Sequence, residues 1–261
     1  MSTLLPWPFR KIVAHRGAGT MGPENTLAGF RVGLEHGYHA FETDAMLSKD
    51  GIPVIMHDPK FGRIIRDSRS VPELTAAEIR QLDAGSWYSP FYAGEPPAGF
   101  EQAVRWCRAN QVWLNIEIKP APGFERETGE VVAHLTTELY SDLVKAGGGK
   151  AEGIVPEVPL FSSFKPDALR GAYAAAPDIP RGFLVDEFPD NWREILEETD
   201  CVALHCNHKR LTQELIDEVH AMGRWVFCYT VNDPKRVQEI LRVGVDGLCT
   251  DRLDWFTPSP N

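Results

Sequence analysis

Eight short runs rich in β-branched and apolar residues recur along the chain, and helical patterns fill most gaps between them. The runs are Ile12–His15, Ala40–Asp44, Trp113–Ile118, Pro159–Ser163, Arg181–Val185, Cys201–His205, Trp225–Thr230 and Gly247–Thr250. Helical patterns cover Glu24–His36, Phe100–Asn110, Glu125–Lys145, Pro166–Ala176, Asn191–Glu198, Thr212–Met222 and Pro234–Val243. Within Thr212–Met222, the apolar residues Leu215, Ile216, Val219 and Met222 share one face at helical spacing, with Thr212 as N-cap and Gly223 as stop. Alternating strands and helices require a parallel sheet covered by helices. Eight such units in 261 residues predict a (β/α)8 barrel.

One segment breaks the rhythm. Gly51–Gly99 separates the second run from the helix that leads to the third. It opens with an extra strand, Pro53–His57, and carries a short helix near Ala76–Leu82. Its end, residues 87–97, is rich in aromatics and prolines. The segment reads as a rim insertion, residues 51–99, within a single barrel domain spanning 1–261. Gly147-Gly148-Gly149 reads as a flexible connection.

Composition narrows the function. The chain has 27 Lys plus Arg against 37 Asp plus Glu, a formal charge of −10. That balance gives no electrostatic reason to bind nucleic acid or an anionic membrane. No stretch approaches the roughly 18 apolar residues that a membrane span needs. Residues 1–11 place basic groups after a short, proline-broken apolar stretch, the reverse of a signal peptide. The five cysteines are odd in number and lack CxxC spacing, which argues against a disulfide framework and for a cytoplasmic protein. A monomer or small homo-oligomer is expected.

Gly17-Ala18-Gly19-Thr20-Met21-Gly22 is a literal GxGxxG after a strand, with Glu42 twenty residues on, as in dinucleotide-binding folds. Pro23 stands where the nucleotide-binding helix should offer free N–H groups. His15-Arg16 replaces the apolar strand end, and the acid is one of a pair. A nicotinamide dinucleotide is therefore not expected.

Four short segments carry chemistry: His15-Arg16-Gly17, Glu42-Thr43-Asp44, His57-Asp58 and Glu117-Ile118-Lys119. Residues i and i+2 of a strand point to the same side, so Glu42 and Asp44 share a target, as do Glu117 and Lys119. All four segments sit at C-terminal strand ends, where barrel enzymes place catalytic groups. Three converging carboxylates suit one hard divalent cation, Mg2+ or Ca2+. Arg16 and Lys119 suit an anionic substrate such as a phosphodiester. An imidazole ordinarily changes charge near neutral pH, so of His15 and His57 one can take a proton and the other give one. Singly, each segment has a bland explanation: a satisfied histidine, a solvated edge, a surface ion pair. Their coincidence at matching strand ends favours a working site for phosphoryl transfer.

With Pro23-Glu24-Asn25-Thr26, Leu47-Ser48-Lys49-Asp50-Gly51, Lys119-Pro120, Leu160-Phe161-Ser162-Ser163-Phe164, Tyr229-Thr230-Val231-Asn232 and Asp246–Asp251, this ordered set resembles the glycerophosphodiester phosphodiesterases. Residues 82–88 and 204–209 look like the cytoplasmic bacterial branch. The resemblance runs from about residue 10 to 255. It implies a TIM barrel with a small inserted subdomain after the second strand. It also implies hydrolysis of glycerophosphodiesters, small molecules of lipid and glycerol metabolism, to glycerol 3-phosphate and an alcohol. Glu42, Asp44 and Glu117 match the family's metal ligands, His15 and His57 its acid–base pair, and Arg16 and Lys119 positions near the phosphate. The implied route passes through a cyclic phosphate formed by the glycerol 2-hydroxyl. Tyr229 stands where the family often has Trp.

Other residues invite readings of their own. His205-Cys206-Asn207-His208 is poor zinc geometry, but His205 is a candidate for the pocket wall. Ser162 and Ser163 lack a GxSxG elbow, and Ser163 is expected to face the cavity. Trp87, Tyr88, Phe91 and Tyr92 either cover the substrate as a lid or pack the insertion under its own loop. Asp246 and Asp251 read as anchors of the last strand and loop. The contrasting function is a non-catalytic barrel that binds a phosphodiester.

Overall fold

A computed structural model describes residues 4–144, 155–256 and 258, so the Gly147–Gly149 connection lies outside the described residues. Among the described residues nine strands form: β1 (Ile12–Ala14), β2 (Ala40–Leu47), β3 (Pro53–Ile55), β4 (Trp113–Ile118), β5 (Leu160–Ser163), β6 (Arg181–Val185), β7 (Ala203–Asn207), β8 (Trp225–Tyr229) and β9 (Gly247–Thr250). Parallel pairing runs β1-β2-β4-β5-β6-β7-β8-β9 and returns to β1, closing an eight-stranded parallel barrel. β3 pairs antiparallel with β2 outside that ring.

Helices α1 (Leu27–Glu35), α3 (Phe100–Ala109), α4 (Glu125–Leu139), α6 (Pro166–Ala175), α7 (Trp192–Glu198), α8 (Gln213–Ala221) and α9 (Pro234–Arg242) connect the barrel strands. The short α2 (Ala76–Ile79) lies in the insertion and α5 (Ser141–Val144) follows α4. The first helix begins at Leu27, not Glu24. Asn25 has φ of 55°, which no helix accepts, and the Thr26 side chain caps the helix by accepting from the Gly29 N–H at 3.0 Å.

Apolar residues on the outer strand faces meet the helices in the largest hydrophobic cluster. A second cluster fills the N-terminal end of the barrel with Val13, Ala40, Trp113, Leu160, Ala203 and Trp225. Trp7 and Phe9 close it from below, with Phe9 stacked on Trp113 at 4.6 Å. The barrel is therefore sealed at one end, and its polar interior lies above the plug. Glu42, Asn115, Ser162 and His205 are all buried there. His205 stacks on Phe227 at 4.6 Å, and Gly182 makes room for it: a Cβ at that position would lie 2.4 Å from His205 Nε2.

The insertion packs a third cluster of its own, around Met46, Met56, Ile64, Ile65 and Ile79. Three ties fasten it to the stretch that runs from β1 into the first turn of α1. The Tyr88 hydroxyl donates to Thr20 O at 3.1 Å, Glu95 accepts from the Ala28 N–H at 2.8 Å, and Arg63 grips Glu24. Among the described residues, no helix is long and apolar enough to cross a membrane.

Candidate active site

β1 ends at Ala14, and the chain turns sharply through His15-Arg16-Gly17. Arg16 and Gly17 take φ of 51° and 81°, and a Cβ on Gly17 would strike the Phe30 ring at 2.2 Å. Only glycine fits there without displacing α1. The turn brings the Arg16 backbone N–H to Glu42 Oε2 at 3.0 Å. The glycines of the GxGxxG pattern, Gly17, Gly19 and Gly22, lie between β1 and α1, and the last of them stops five residues before Leu27. That disposes of the nucleotide-loop geometry.

Register fixes the carboxylates. Glu42 pairs with Asn115 and Asp44 with Glu117 across β2 and β4. Glu42 and Asp44 thus occupy successive inward positions on one strand, beside Asn115 and Glu117 on the next. One oxygen from each of Glu42, Asp44 and Glu117 lies within 4.8 Å of the others, and all three residues are buried. Glu42 Oε1 is buried without any hydrogen-bond partner. A buried carboxylate oxygen with no donor is what a cation ligand looks like without its cation. The donor set is all oxygen, which suits Mg2+ or Ca2+ over softer metals.

Electrostatics agree with crowding. Burial, with Asp44 as neighbour, pushes Glu117 up to about 7 despite Lys119. Burial, Asp44 and Glu117 push Glu42 well above its ordinary value. Burial acts on Asp44 too, but Lys119, His57 and Arg16 carry it down to about 2. Lys119 Nζ stands 3.5 Å from both Asp44 Oδ1 and Glu117 Oε1. Asn25, the centre of Pro23-Glu24-Asn25-Thr26, holds Asp44 in place. Its Nδ2 donates to Asp44 Oδ2 at 2.8 Å, and its Oδ1 accepts from the Thr43 hydroxyl at 2.9 Å.

Each histidine is pinned by an aspartate. His15 Nδ1 lies 2.6 Å from Asp251 Oδ1, and the Asn232 amide donates to Asp251 Oδ2 at 2.8 Å. His57 Nδ1 lies 2.6 Å from Asp58 Oδ1. Both rings line the cavity, which leaves their Nε2 atoms for chemistry there. Burial pulls His57 below its ordinary value; Asp44 opposes this and Lys119 assists it. Burial also resists ionisation of Asp251, but the bond and charge of His15 keep it low.

The cavity measures about 200 Å³. His15, Arg16, Glu42, His57, Glu117, Lys119, His205 and Tyr229 all line it, while Asp44 is buried and does not line it. Tyr229 presents its ring, since its hydroxyl donates to Val185 O at 2.8 Å and its edge meets Phe164 at 5.6 Å. His205 is held neutral, burial pulling it down to about 3, and neither ring nitrogen has a partner. Ser163 does not reach the cavity. Its Oγ donates to Ile118 O at 2.6 Å, and Ser162, one residue earlier, lines the wall instead. Cys206 turns away from His205 toward Cys228, so no zinc site forms there. Trp87, Tyr88, Phe91 and Tyr92 pack edge-on against one another along the rim, with Phe91 87% exposed, and none lines the cavity. Asp246 anchors β8, accepting from the Val226 N–H at 2.8 Å.

Known proteins share this arrangement's sequence and shape. The sequence model of the glycerophosphoryl diester phosphodiesterase family matches residues 15–255. A glycerophosphodiester phosphodiesterase of Bacillus altitudinis is 29% identical over 251 residues, covering 94% of this chain and 95% of that protein. Another, from Caldanaerobacter subterraneus subsp. tengcongensis, is 28% identical over 245 residues, covering 92% and 93%. Among solved structures, an Oleispira antarctica phosphodiesterase in complex with the product sn-glycerol-3-phosphate superposes with a TM-score of 0.80. It is 33% identical, and the match covers 92% of each chain.

Proposed function

The chain belongs to the glycerophosphoryl diester phosphodiesterase family. On that premise we propose that it hydrolyses glycerophosphodiesters to glycerol 3-phosphate and an alcohol, with one divalent cation, Mg2+ or Ca2+, held by Glu42, Asp44 and Glu117. The observation that carries this reading is the clustering of three carboxylates, one buried oxygen of them without a donor, beside two aspartate-pinned imidazoles that line the cavity.

A cation bound there supplies Lewis-acid polarisation of the phosphoryl group and of a substrate hydroxyl. Arg16 and Lys119 bind and orient the anionic phosphate. Arg16 Nε, buried and without a hydrogen bond, is a ready donor. His205 and Tyr229 complete the wall, with Ser162 in the place expected of Ser163. One of His15 and His57 takes the proton of the glycerol 2-hydroxyl as that oxygen bonds to phosphorus. The other protonates the departing alkoxide as its P–O bond breaks. Water then opens the cyclic phosphate with the two roles reversed. Asp58 and Asp251 keep each ring turned with Nε2 toward the reaction and stabilise the imidazolium when it forms.

Because the nucleophile belongs to the glycerol, the alcohol is free to vary. Choline, ethanolamine and glycerol esters are expected to react within a factor of about a hundred of one another. The test compares glycerophosphocholine with its analogue lacking the 2-hydroxyl, followed by phosphorus NMR. Cleavage of the first alone supports the proposal. Cleavage of both rejects the cyclic route. Binding of both without cleavage makes the protein a phosphodiester-binding barrel.

A further inference from the structure

Arg63 lies on the rim insertion, and all its guanidinium nitrogens donate within the protein. Nε reaches Asp58 Oδ2 at 2.6 Å, Nη1 reaches Glu24 Oε2 at 2.7 Å, and Nη2 reaches Glu24 Oε1 at 2.6 Å. Asp58 in turn holds His57 Nδ1 at 2.6 Å. Glu24, only 6% exposed, also accepts from Arg16 Nη1 at 2.9 Å. An unbroken chain, His57–Asp58–Arg63–Glu24–Arg16, therefore joins a proton-transfer group to the phosphate-side arginine. Its two halves come from separate parts of the chain, and Arg63 is the link between them.

We propose that Arg63 is a positioning residue whose forked grip on Asp58 and Glu24 sets the aim of the His57 imidazole, and that this is a principal task of the rim insertion. His57 and Asp58 need such a device. β3 ends at Ile55, so both lie beyond the sheet ladder. Without an outside hold, the carboxylate of Asp58 is free to rotate and the imidazole with it. Each guanidinium nitrogen of Arg63 is engaged with Asp58 or Glu24, so the residue acts through these partners. A lysine would keep the charge but lose the fork that reaches two carboxylates at fixed angles. For its kinetic part, this inference rests on the phosphodiesterase reading; its spectroscopic part does not.

The test uses Arg63→Met, Arg63→Lys, Asp58→Asn and the Arg63→Met/Asp58→Asn double variant of the full chain. In the metal-free wild type, NMR should show a slowly exchanging, far-downfield Nδ1 proton, assigned to His57 by its loss in His57→Ala. Arg63→Met should abolish that signal and leave the Asp251-bound His15 proton in place. With glycerophosphocholine, kcat should fall roughly 10- to 100-fold while KM moves by less than about threefold. Arg63→Lys, the variant safest for folding, should recover part of the loss. In the Asp58→Asn background the Arg63→Met change should cost less than about twofold more. An unchanged His57 signal overturns the proposal, as does an unchanged kcat or a full additional loss in the Asp58→Asn background. If the wild type itself turns nothing over, the phosphodiesterase reading fails, and the His57 signal alone decides the fate of the clasp.

Discussion

Asn25 commits its amide to one neighbouring strand, donating to Asp44 and accepting from Thr43, at a backbone φ of 55°. Such strain in a non-glycine residue persists where function holds it in place. The sequence marked the tetrapeptide around it as a motif but did not say what each letter does. Glu24 takes two arginines, Asn25 orients the Asp44 carboxylate, and Thr26 caps α1. Asp251 was legible only as an anchor; that it also pins His15 depends on a contact across 236 positions, which no local pattern reports. Ser163 was misplaced by one residue. In a strand one step reverses the face, and only the pairing of Glu117 with Ser162 settles which serine looks inward. The carboxylates lead to a prediction at this scale. Glu117 sits at about 7 because burial and Asp44 favour its protonated form, and a cation must displace that proton. Cation affinity should therefore rise with pH, being at least roughly tenfold weaker at pH 6 than at pH 8. Titration calorimetry in buffers of different ionisation enthalpy should detect the released proton. Glu117→Gln should reduce the proton release and remove most of the affinity; affinity independent of pH would contradict the account.

The strands were largely legible as elements, because a buried parallel strand is a short apolar run between helices and little else competes with that pattern. Boundaries moved where tertiary contacts intervened. β2 runs on to Leu47, three residues past Asp44, because β3 pairs with its outer end. Arg181 was read only as the first residue of a strand. It is 1% exposed, and its guanidinium donates to Thr199 O at 2.8 Å and to Ile179 O at 2.6 Å, just beyond the C-terminal ends of α7 and α6. A third bond reaches Ala176 O at 3.1 Å, so one side chain ties two helix ends to β6. Arg181→Met should strand these carbonyls and cost about 3 kcal/mol in chemical denaturation, with specific activity of the folded fraction unchanged. A loss below about 1 kcal/mol would show that water replaces the guanidinium freely.

For the whole molecule, the charge of −10 and the chemistry pull in opposite directions. An acidic chain repels a phosphodiester at long range, so binding must come from Arg16, Lys119 and a cation concentrated at the one open end of the barrel. The aromatic plug of Trp7, Phe9, Trp113 and Trp225 shuts the other end, and the insertion braces the open rim. Composition pointed away from nucleic acid and anionic membranes, and the strand-end motifs pointed to the open rim as the site. The braces could not be read, since each joins residues far apart in the chain. The central claim is that the three carboxylates and two histidines form one cation-dependent hydrolytic centre. The most direct measurement is the rate of glycerol 3-phosphate release from glycerophosphocholine by wild type and His57→Ala, in chelator and after adding back Mg2+ or Ca2+. The account predicts no release in chelator, recovery with at least one of the cations, and a loss of about a thousandfold or more in His57→Ala under the same conditions. Undiminished release in chelator, or by His57→Ala, would contradict it.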